Sequence, residues 1–525
     1  MQIKRNALGF VSAILLVLAI LPLGAQINLK PRLIQKDRIV FDFPENCMVL
    51  SAETGVESAI ENVDNAKREI SVGSLNPSQF FELKGKLLCG GDTLSYQGNY
   101  ITASGSSGEI KIYFNQPVDA SFSRGNIPDG TTYAEVEKAL REAIRNAKTS
   151  IDYAAYNTNE MAVVNELIDA AARGVKVRCV ADGGTSNTGL QGGMPFKIVK
   201  NSGSSGLMHH KFIVIDPEDS ERALIVTGSM NFTKTQMRTD PNHLLFIQDK
   251  SLALTYQKEF NEMWGSQSLE PDLSKSRFGD DKLDDTPHHF LIGDTYMECY
   301  FSPSDNTTSK IAEVLDSSRQ AVNLALMIFT NWELRDQMKK LLERGIKVRT
   351  IIEDDYNSLG VMSVLTNSGG LVAVHHQSGN FHHKYAIIDE DLSEKTPVVV
   401  TGSHNWTYSA ETINDENTLI IHDSRIANIF RQEYEARWKE VYFSSSTSEQ
   451  KDIYTEVYPH PVTDRVCLST SLNVTSVKVY HTITGKSYHL PLTNWCADVA
   501  ILPVGAYLME VSEGDMHSWV KLIKI

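Results

Sequence analysis

Two short segments of the chain carry the same pair of chemically capable side chains. His209 and Lys211 lie in the segment HHKFIVID, and His382 and Lys384 lie in the segment HHKYAIID. If each segment is a strand, residues two apart share a face, so each imidazole lies beside an ammonium group. Imidazole can act as a nucleophile or an acid–base near neutral pH, and ammonium groups hold anionic oxygens. Two such pairs around one cleft would suit the cleavage of a phosphate diester.

A second motif follows each pair at a similar distance along the chain. It reads GSMN in the first case, with Ser229 and Asn231, and GSHN in the second, with Ser403 and Asn405. These side chains offer neutral hydrogen bonds beside a phosphate, and glycine permits close approach of the backbone. A single His-x-Lys is usually surface decoration, and a single Gly-Ser is usually a turn. The recurrence of both motifs in the same order favours a functional site.

The motifs belong to an internal repeat that predicts an α/β fold. ARGVKVR at 172–178 matches ERGIKVR at 343–349, and VTGSMNFT at 226–233 matches VTGSHNWT at 400–407. In each copy, strands alternate with helices of about 10–15 residues, which indicates βαβ units and a largely parallel sheet. A pseudo-two-fold relation between the copies would bring both His–Lys pairs to one interface.

The double motif resembles that of the phospholipase D superfamily, over roughly residues 110–442. This resemblance implies two α/β/α sandwiches packed face to face. It also implies a two-step mechanism without a metal ion or other cofactor, in which one His forms a phosphohistidine while the other protonates the leaving alcohol. Carried over to this chain, it makes His209 the nucleophile and His382 the acid–base. Lys211 and Lys384 would then hold the phosphate, and the Ser and Asn residues of the second motif would line it.

Three carboxylates accompany these motifs. Asp216 and Asp389 end the H-x-K-x4-D pattern, and we expect them to support the site structurally rather than to do chemistry. Glu416 follows the second GSxN motif and is similar to the family's acidic residue that orients a histidine. The matching position in the first copy is Asn242, so only one half keeps a carboxylate. Different surroundings would fit different roles for the two histidines.

The remaining sequence suggests a multidomain, exported protein. Its 525 residues, 42% of them hydrophobic, exceed one ordinary domain. Residues 55–70 read as a possible helix. We predict a signal peptide, a β-rich N-terminal region, two repeats joined by an acidic surface linker, a Ser/Thr-rich linker and a small C-terminal β-sandwich. The signal peptide spans 1–25 and the N-terminal region spans 26–109. The two repeats span 110–265 and 291–442, and the acidic linker between them spans 266–290. The Ser/Thr-rich linker spans 443–453 and the C-terminal β-sandwich spans 454–525.

The N-terminal and C-terminal segments of the sequence both indicate where the protein is located. Basic Lys4 and Arg5 precede a short apolar run, and small residues precede a cut at Gln26, as in a secretory signal. A membrane anchor is the alternative. The C-terminal segment resembles the sorting domain of the type IX secretion system. The resemblance rests on YPHP, on KVY with TGK, on LPVGAY and on a basic tail. It implies secretion or cell-surface display, with outer-membrane secretion machinery as a partner; a generic adhesive β-domain is the alternative.

Cysteine pairing and metal binding are only partly constrained. An exported protein permits disulfides, and Cys47 could pair with Cys89, and Cys467 with Cys496, although sequence alone fixes neither pair. C-x-x-C and H-E-x-x-H spacings are absent from the sequence, which argues against a zinc site of those types.

The substrate remains open at this level. A phospholipid, cut to phosphatidic acid and a head-group alcohol, is favoured slightly by the net charge of −15. DNA or RNA cleaved by the same mechanism is the alternative, and a silent phosphate-binding surface protein ranks last. We expect a monomer, because both half-sites lie in one chain.

Overall fold

The computed structural model describes residues 26–525 except 58, 203–205, 354–359, 376–378, 445–454, 459–460, 471–473, 483–485 and 514–515. One compact unit ends at Tyr434, and a second comprises Glu435–Ile525. The predicted signal peptide lies outside the described residues. Among the residues that are described, no helix is both long and apolar enough to cross a bilayer.

The N-terminal region is built of strands. Two four-stranded sheets, ordered β1-β8-β7-β4 and β2-β3-β6-β5, share an apolar core. A disulfide joins Cys47 to Cys89 across β4 and β7. The strands are β1 (Gln26–Ile27), β2 (Pro31–Ile34), β3 (Ile39–Asp42), β4 (Cys47–Thr54), β5 (Ile60–Asp64), β6 (Glu69–Val72), β7 (Phe80–Cys89) and β8 (Asp92–Ile101).

The helix suggested for residues 55–70 was wrong. These residues include β5, β6 and the turn between them, and the two strands pair antiparallel. The Asp64 carboxylate accepts hydrogen bonds from the main-chain N–H groups of Ala66 and Lys67, at 3.0 Å each. An aspartate that bonds its own following backbone stabilises a turn in competition with a helix.

The first repeat folds around one seven-stranded sheet, ordered β12-β11-β10-β13-β14-β15-β9. Its core is formed by apolar residues of the sheet and of helices α1 and α2. The elements are β9 (Ile110–Phe114), α1 (Tyr133–Asn146), β10 (Ser150–Ala155), α2 (Met161–Ala172), β11 (Lys176–Ala181), β12 (Lys197–Lys200), β13 (Lys211–Ile215), β14 (Leu224–Gly228), α3 (Lys234–Arg238), β15 (His243–Ile247) and α4 (Lys250–Trp264).

The second repeat has the same order of elements, with one added N-terminal strand, β16, and one added helix, α7, between β19 and β20. Its sheet runs β16-β17-β23-β22-β21-β18-β19-β20. The elements are β16 (His289–Ile292), β17 (Thr295–Ser302), α5 (Thr307–Asp316), β18 (Ala321–Leu326), α6 (Trp332–Glu343), β19 (Lys347–Ile352), α7 (Val361–Asn367), β20 (Leu371–Val374), β21 (Lys384–Ile388), β22 (Val398–Gly402), α8 (Tyr408–Thr412), β23 (Glu416–His422) and α9 (Ser424–Ser444).

The two sheets are mixed, which corrects the expectation of largely parallel ones. In the first repeat only β10–β11 and β11–β12 pair parallel, and the strands that carry the motifs pair antiparallel. The second repeat shows the same pattern. Short connections allow β13, β14 and β15 to follow one another as neighbours, whereas a parallel pair needs a helical crossover.

Sequence patterns explain the helices that cover the sheets. In α1 the apolar residues Val136, Leu140 and Ile144 recur one turn apart and are fully buried. Thr132 caps the helix by accepting from the Glu135 N–H, and the Glu135 carboxylate accepts from Thr131 N–H and the Thr132 hydroxyl. This reciprocal arrangement is a capping box, and it sets where the helix begins.

The aspartates that end the two motifs hold the turn before the central strand. The Asp216 carboxylate accepts from the main-chain N–H groups of Lys148, Thr149 and Ser150, at 2.6–3.0 Å. Asp389 accepts in the same way from 319–321. Both aspartates have positive φ, 46° and 56°. They therefore lie at the end of the strand remote from the histidines, in a structural position and not against a phosphate.

The segment between the repeats is partly buried, contrary to its reading as a surface linker. The Lys282 side chain is fully buried and forms ion pairs with Glu259 and, at 3.9 Å, with Asp415. The Gly279 N–H donates to Asp415 at 2.9 Å. A lysine can be buried when carboxylates surround it, so this acidic linker packs between the two repeats.

The second unit contains two further sheets, ordered β24-β25-β28 and β27-β26-β29-β30, which share an apolar core. A disulfide joins Cys467 to Cys496. Pro459, His460, Thr484 and Gly485 of the sorting-domain resemblance lie outside the described residues. The strands are β24 (Thr455–Tyr458), β25 (Arg465–Thr470), β26 (Ser476–His481), β27 (Ser487–Pro491), β28 (Cys496–Asp498), β29 (Gly505–Glu513) and β30 (Met516–Lys524).

The position of Asp216 predicts a graded loss of stability. Asp216→Ala should lower the free energy of unfolding by about 2 kcal/mol or more. The substitution leaves three main-chain N–H groups without an acceptor, and alanine adopts positive φ less readily than aspartate does. Asp216→Asn keeps one acceptor oxygen and the backbone preference, so it should cost less. Denaturant unfolding measures both. Equal stability of wild type and Asp216→Ala would contradict the structural role.

Candidate active site

The first histidine motif lies where β13 begins. Lys211 is the first residue of that strand, and its ammonium group donates to the main-chain oxygen of His209 at 2.7 Å. The strand is therefore shorter than the motif, but the expected pairing of His209 with Lys211 is present. His210 points away, and its Nε2 lies 2.8 Å from Glu259 on α4. Each imidazole of the double histidine thus has a separate environment.

The second motif repeats this arrangement at the start of β21. Lys384 donates to the main-chain oxygen of His382 at 2.9 Å. His383 points the other way, with its Nε2 2.9 Å from Glu433 on α9. The pseudo-symmetry inferred from the sequence therefore extends to side chains behind each motif, including two helix glutamates that the sequence analysis missed. Their signal was their shared position within the long helix that closes each repeat.

Each motif histidine is oriented by a residue of the other repeat. His209 Nδ1 donates to the Glu416 carboxylate at 2.7 and 2.8 Å. His382 Nδ1 lies 3.0 Å from Asn242 Oδ1 and 3.0 Å from the Ser229 main-chain oxygen. The Lys384 ammonium, a donor, lies 3.2 Å from the same nitrogen. The two nearer partners only accept, and a proton on Nδ1 would satisfy them. The two residues that the sequence paired by position, Glu416 and Asn242, therefore occupy equivalent places in the site.

Main-chain hydrogen bonds also join each histidine to the opposite repeat. The His209 N–H donates to the Asp415 oxygen at 3.0 Å, and the His382 N–H donates to the Pro241 oxygen at 3.1 Å. Each histidine is therefore held at both its backbone and its ring by the opposite repeat. The site can form only when the repeats pack together.

The serines of the GSxN motifs bond to residues at or just before the start of the neighbouring strand. The Ser229 hydroxyl donates to Asn242 Oδ1 at 2.9 Å, and the Ser403 oxygen accepts from the Asn417 N–H at 3.0 Å. Among the described residues, the side-chain oxygens of Asn231 and Asn405 are buried without a hydrogen-bond partner. The two asparagine amides are thus the members of the motif left with unused hydrogen-bonding capacity.

The glycine of each GSxN motif is required by packing. Gly228 and Gly402 have φ values of 153° and 149°. A Cβ atom would lie 2.4 Å from the His243 oxygen in the first case and 2.1 Å from the Asn417 oxygen in the second. No side chain fits at these distances, so the glycines that end β14 and β22 let each strand lie close to its neighbour.

Several buried polar contacts join the two repeats beside the site. His243 Nε2 lies 2.6 Å from the Thr401 hydroxyl, and His243 Nδ1 lies 3.0 Å from His383 Nδ1. In the equivalent position of the other half, the Asn417 amide donates to the Thr227 hydroxyl at 2.9 Å. Two ring nitrogens this close need a proton between them, so His243 and His383 cannot both be doubly protonated.

Two residues beside the lysines were missed by the sequence analysis. Tyr156 follows β10, and its ring lies 4.8 Å from the His209 ring and 5.3 Å from the Lys211 ammonium. Met327 follows β18 and holds the same place in the second repeat, with its sulfur 3.7 Å from the Lys384 ammonium. Their shared position directly after a central strand was the signal. The pair differs in polarity, which adds to the difference between the half-sites.

Burial makes positive charge unfavourable in this cleft. It lowers the pKa of His209 to about 4, assisted by Lys211 and Lys384 and opposed by Glu416. It lowers the pKa of Lys211 to about 7, against the opposing effects of Glu416 and Asp182. Burial and the positive charges of Lys384, Lys211 and His209 hold the pKa of His382 well below its usual value. These groups interact across the repeats, and an anion between them would relieve their repulsion.

The described residues contain one group whose atoms could together approach a metal ion. Asp284, His288 and Asp305 offer ligand atoms within 4.8 Å of one another. The His288 nitrogens already contact Asp284 at 2.9 Å and the Cys299 oxygen at 3.0 Å. Both His288 nitrogens are therefore already used in hydrogen bonds within the protein. None of the three residues belongs to the histidine motifs.

Comparison with known proteins identifies the repeats. A family model described as "Cardiolipin synthase, PLD-like domain" matches residues 140–264 and 311–438. The two matched segments contain all four motif residues, His209, Lys211, His382 and Lys384. The chain therefore contains two PLD-like repeats.

Individual relatives share parts of the chain. It is 33% identical to a mouse protein, "Mitochondrial cardiolipin hydrolase", over 28% of this chain and 65% of that protein. The chain thus spans just under two thirds of that relative's length. Phosphatidylserine synthase of Haemophilus influenzae aligns with a TM-score of 0.45 at 14% identity, covering 63% of this chain and 87% of that chain. Nuc from Salmonella typhimurium, a phospholipase D family member, aligns with a TM-score of 0.26 at 24% identity, covering 28% and 96%.

The buried lysine predicts a gain in stability when its charge is removed. Lys211→Met should raise the midpoint of thermal unfolding at pH 7. The folded chain holds the pKa of Lys211 near 7, whereas an unfolded lysine keeps its proton up to about 10.5. Between these values the unfolded state binds more protons, so the stability of the wild type rises with pH. The advantage of the variant should be greatest at or below pH 7 and shrink toward pH 10.5.

The exposed Lys176 of the same repeat provides the matched control. Lys176→Met should leave the unfolding midpoint close to that of the wild type across this pH range. A Lys211→Met protein that is less stable than the wild type at pH 7 would contradict an electrostatic penalty at Lys211.

Proposed function

We propose that the chain is a phosphodiesterase that hydrolyses its substrate through a phosphohistidine. One observation carries this proposal. The two motif histidines, His209 and His382, are each oriented by the opposite repeat, through Glu416 at 2.7 Å and Asn242 at 3.0 Å. This arrangement gives one cleft two imidazoles with their Nδ1 atoms engaged. It leaves the two Nε2 atoms for chemistry on a shared phosphate.

The surroundings of His209 suit a nucleophile. Its depressed pKa, about 4, leaves the ring neutral near pH 7, so Nε2 holds a free electron pair. In the proposed first step this pair attacks phosphorus and forms an N–P bond, while the bond from phosphorus to the leaving oxygen breaks. The ring becomes positively charged in the intermediate, and the Glu416 carboxylate at Nδ1 stabilises that charge.

The surroundings of His382 suit an acid–base. We propose that its Nδ1 proton is held by the two neutral acceptors, with Lys384 turned to the phosphate. A second proton on Nε2 can then be given to the leaving alkoxide as the P–O bond breaks. The anionic diester counters the repulsion from Lys211 and Lys384 and so favours the protonated ring. In the second step His382 removes a proton from water, the water oxygen attacks phosphorus, and the N–P bond to His209 breaks.

The phosphate contacts follow from the same geometry. We propose that the ammonium groups of Lys211 and Lys384 hold the non-bridging oxygens, with Asn231 and Asn405 donating from the sides. The Nδ2 group of each amide would be the donor, because the amide oxygen only accepts. Ser229 and Ser403 fix the neighbouring Asn242 and Asn417.

We further propose a phospholipid as the substrate, which would yield phosphatidic acid and a head-group alcohol. The relative named mitochondrial cardiolipin hydrolase supports a lipid substrate. The net charge of −15 supports it as well, because binding a long nucleic acid depends on many positive charges along a groove. Endonucleolytic cleavage by the same chemistry is the competing function, and the two give different products.

We also propose that the protein is exported and then carried across the outer membrane by its C-terminal segment, with the enzyme acting as a monomer. The apolar N-terminal run and the sorting-domain resemblance support the route. The disulfides Cys47–Cys89 and Cys467–Cys496 fit an oxidising compartment.

Replacement of either motif histidine should remove the activity. With a chelator present, the wild-type protein should release phosphatidic acid from phosphatidylcholine vesicles, and plasmid DNA incubated in parallel should remain intact. His209→Ala and His382→Ala should each lower the turnover number by about 10³-fold or more, because the first removes the proposed nucleophile and the second removes the proposed acid–base.

A histidine outside the repeats controls for general effects of the substitution. His489 is exposed in the second unit, and His489→Ala should retain full activity. Full activity of His209→Ala would refute the proposed chemistry, as would loss of wild-type activity on chelation. Cleaved plasmid without released phosphatidic acid would assign the nuclease function instead.

The export route predicts the beginning of the mature chain. Protein recovered outside the cells that produce it should start at Gln26, because the signal segment is removed during export. N-terminal sequencing or mass spectrometry of the intact protein measures this directly. A recovered chain that retains Lys4 and Arg5 would indicate an N-terminal anchor.

A further inference from the structure

Four large apolar side chains are exposed beside the catalytic cleft. Trp332 is 69% exposed, Tyr408 66%, Ile413 40% and Leu207 38%. We call these four residues the apolar rim. Single exposed apolar residues are common on proteins, but several around one opening indicate a contact surface.

Two members of the apolar rim are tied directly to site residues. Tyr408 begins the short helix α8, and Ile413 follows its end, so both lie on the loop between Asn405 and Glu416. The Ile413 N–H donates to the Ser409 oxygen at 3.1 Å, which keeps this loop compact. The loop therefore extends from one candidate phosphate contact to the carboxylate that orients His209.

Leu207 joins the rim from the other repeat, immediately before His209. Its N–H donates to the Asn414 side chain at 3.0 Å, and its oxygen accepts from the Asp415 N–H at 2.9 Å. These hydrogen bonds place Leu207 next to Ile413. The two aliphatic residues thus lie on adjoining backbone segments where the two repeats meet.

Trp332 is attached to the same edge through the start of α6. The N–H groups of Thr330 and Asn331 both donate to the Trp406 oxygen at 2.9 Å. Trp332 follows Asn331, and Tyr408 lies two residues after Trp406, so the two exposed rings project from adjoining segments. The chain that leads to Trp332 begins at Met327, which contacts the Lys384 ammonium.

The matching edge of the first repeat has a different character. Lys234 begins α3 where Tyr408 begins α8, and it is exposed. Within the described part of the chain it makes no ion pair. Met161, 41% exposed, begins α2 where Trp332 begins α6. Both exposed rings thus lie on the second repeat, whereas the first repeat contributes Met161 and the ammonium group of Lys234.

This combination matches the surface of a phospholipid bilayer. Indole and phenol rings favour the interface between head groups and acyl chains, aliphatic side chains favour the acyl region, and an ammonium group favours lipid phosphates. We propose that the apolar rim seats the opening of the cleft on a phospholipid bilayer, so that a head group enters without leaving the membrane. This inference rests on the proposed function.

Nucleic acid fits the rim less well. Trp332 and Tyr408 could stack on bases, but Ile413 and Leu207 have no ring to stack, and a net charge of −15 opposes a long polyanion. A bilayer uses all four side chains at once. The occupant that accounts for the aliphatic pair as well as the rings is therefore a lipid surface.

Vesicle binding by an inactive protein tests the rim. The test uses the full chain with His209→Ala, so that no lipid is consumed, and flotation with phosphatidylcholine vesicles. Adding Trp332→Ala and Tyr408→Ala should lower the partition coefficient about tenfold or more, because two interfacial rings are lost. The control adds Leu273→Ala and Ile501→Ala, whose side chains are equally exposed, 69% and 66%, outside the rim. The control should bind as the parent does.

Equal vesicle binding by the rim variant and the control would overturn the inference. So would a loss confined to binding of a single-stranded oligonucleotide, which would assign the rings to base stacking. Because binding is measured without turnover, the two proposals fail separately. Rim-dependent binding without lipid hydrolysis by the wild type would reject the proposed activity and leave the rim in place. Hydrolysis of vesicle lipid by the wild type, with unchanged vesicle binding by the rim variant, would support the proposed activity and reject the proposed role of the rim.

Discussion

The hydrogen bonds exchanged between the repeats are the constraint on which the whole site depends. His209 is oriented by Glu416 and His382 by Asn242, and each of these partners belongs to the other repeat. Neither repeat alone contains both His209 or His382 and the residue that orients its ring. The buried contacts of His243 with Thr401 and of Asn417 with Thr227 hold the same interface in register. The duplication seen in the sequence therefore supplies both halves of the candidate site.

The two half-sites are alike in backbone and different in electrostatics. A carboxylate faces one histidine and a neutral amide faces the other, and Tyr156 stands beside Lys211 where Met327 stands beside Lys384. A nucleophile that becomes positively charged benefits from a carboxylate, whereas a group that must give up a proton benefits from neutral partners. The asymmetry of the opening follows the same division. Its apolar side belongs mainly to the repeat that supplies the proposed acid–base.

The sequence predicted the motif residues and the strand–helix order because both are local patterns that occur twice. It predicted that Glu416 and Asn242 correspond, since each lies equally far beyond a GSxN motif. It could not predict which histidine each would meet, because that depends on packing between residues 207 and 140 positions apart. The mixed sheets were missed because apolar strands look alike whether they pair parallel or antiparallel. The buried Lys282 was missed because an acidic, polar linker looks exposed until its partners, Glu259 and Asp415, are known.

The central claim is that both histidines serve one phosphate, and a bound phosphate analogue tests it most directly. A crystal structure of the full chain soaked with tungstate should show one tungstate per chain. We expect its oxygens to contact Nε2 of His209 and Nε2 of His382 at about 3 Å, with both lysine ammonium groups at hydrogen-bonding distance. Two separate tungstates, each on a single histidine, would contradict the account. So would a tungstate held by one repeat while the other histidine faces a different surface.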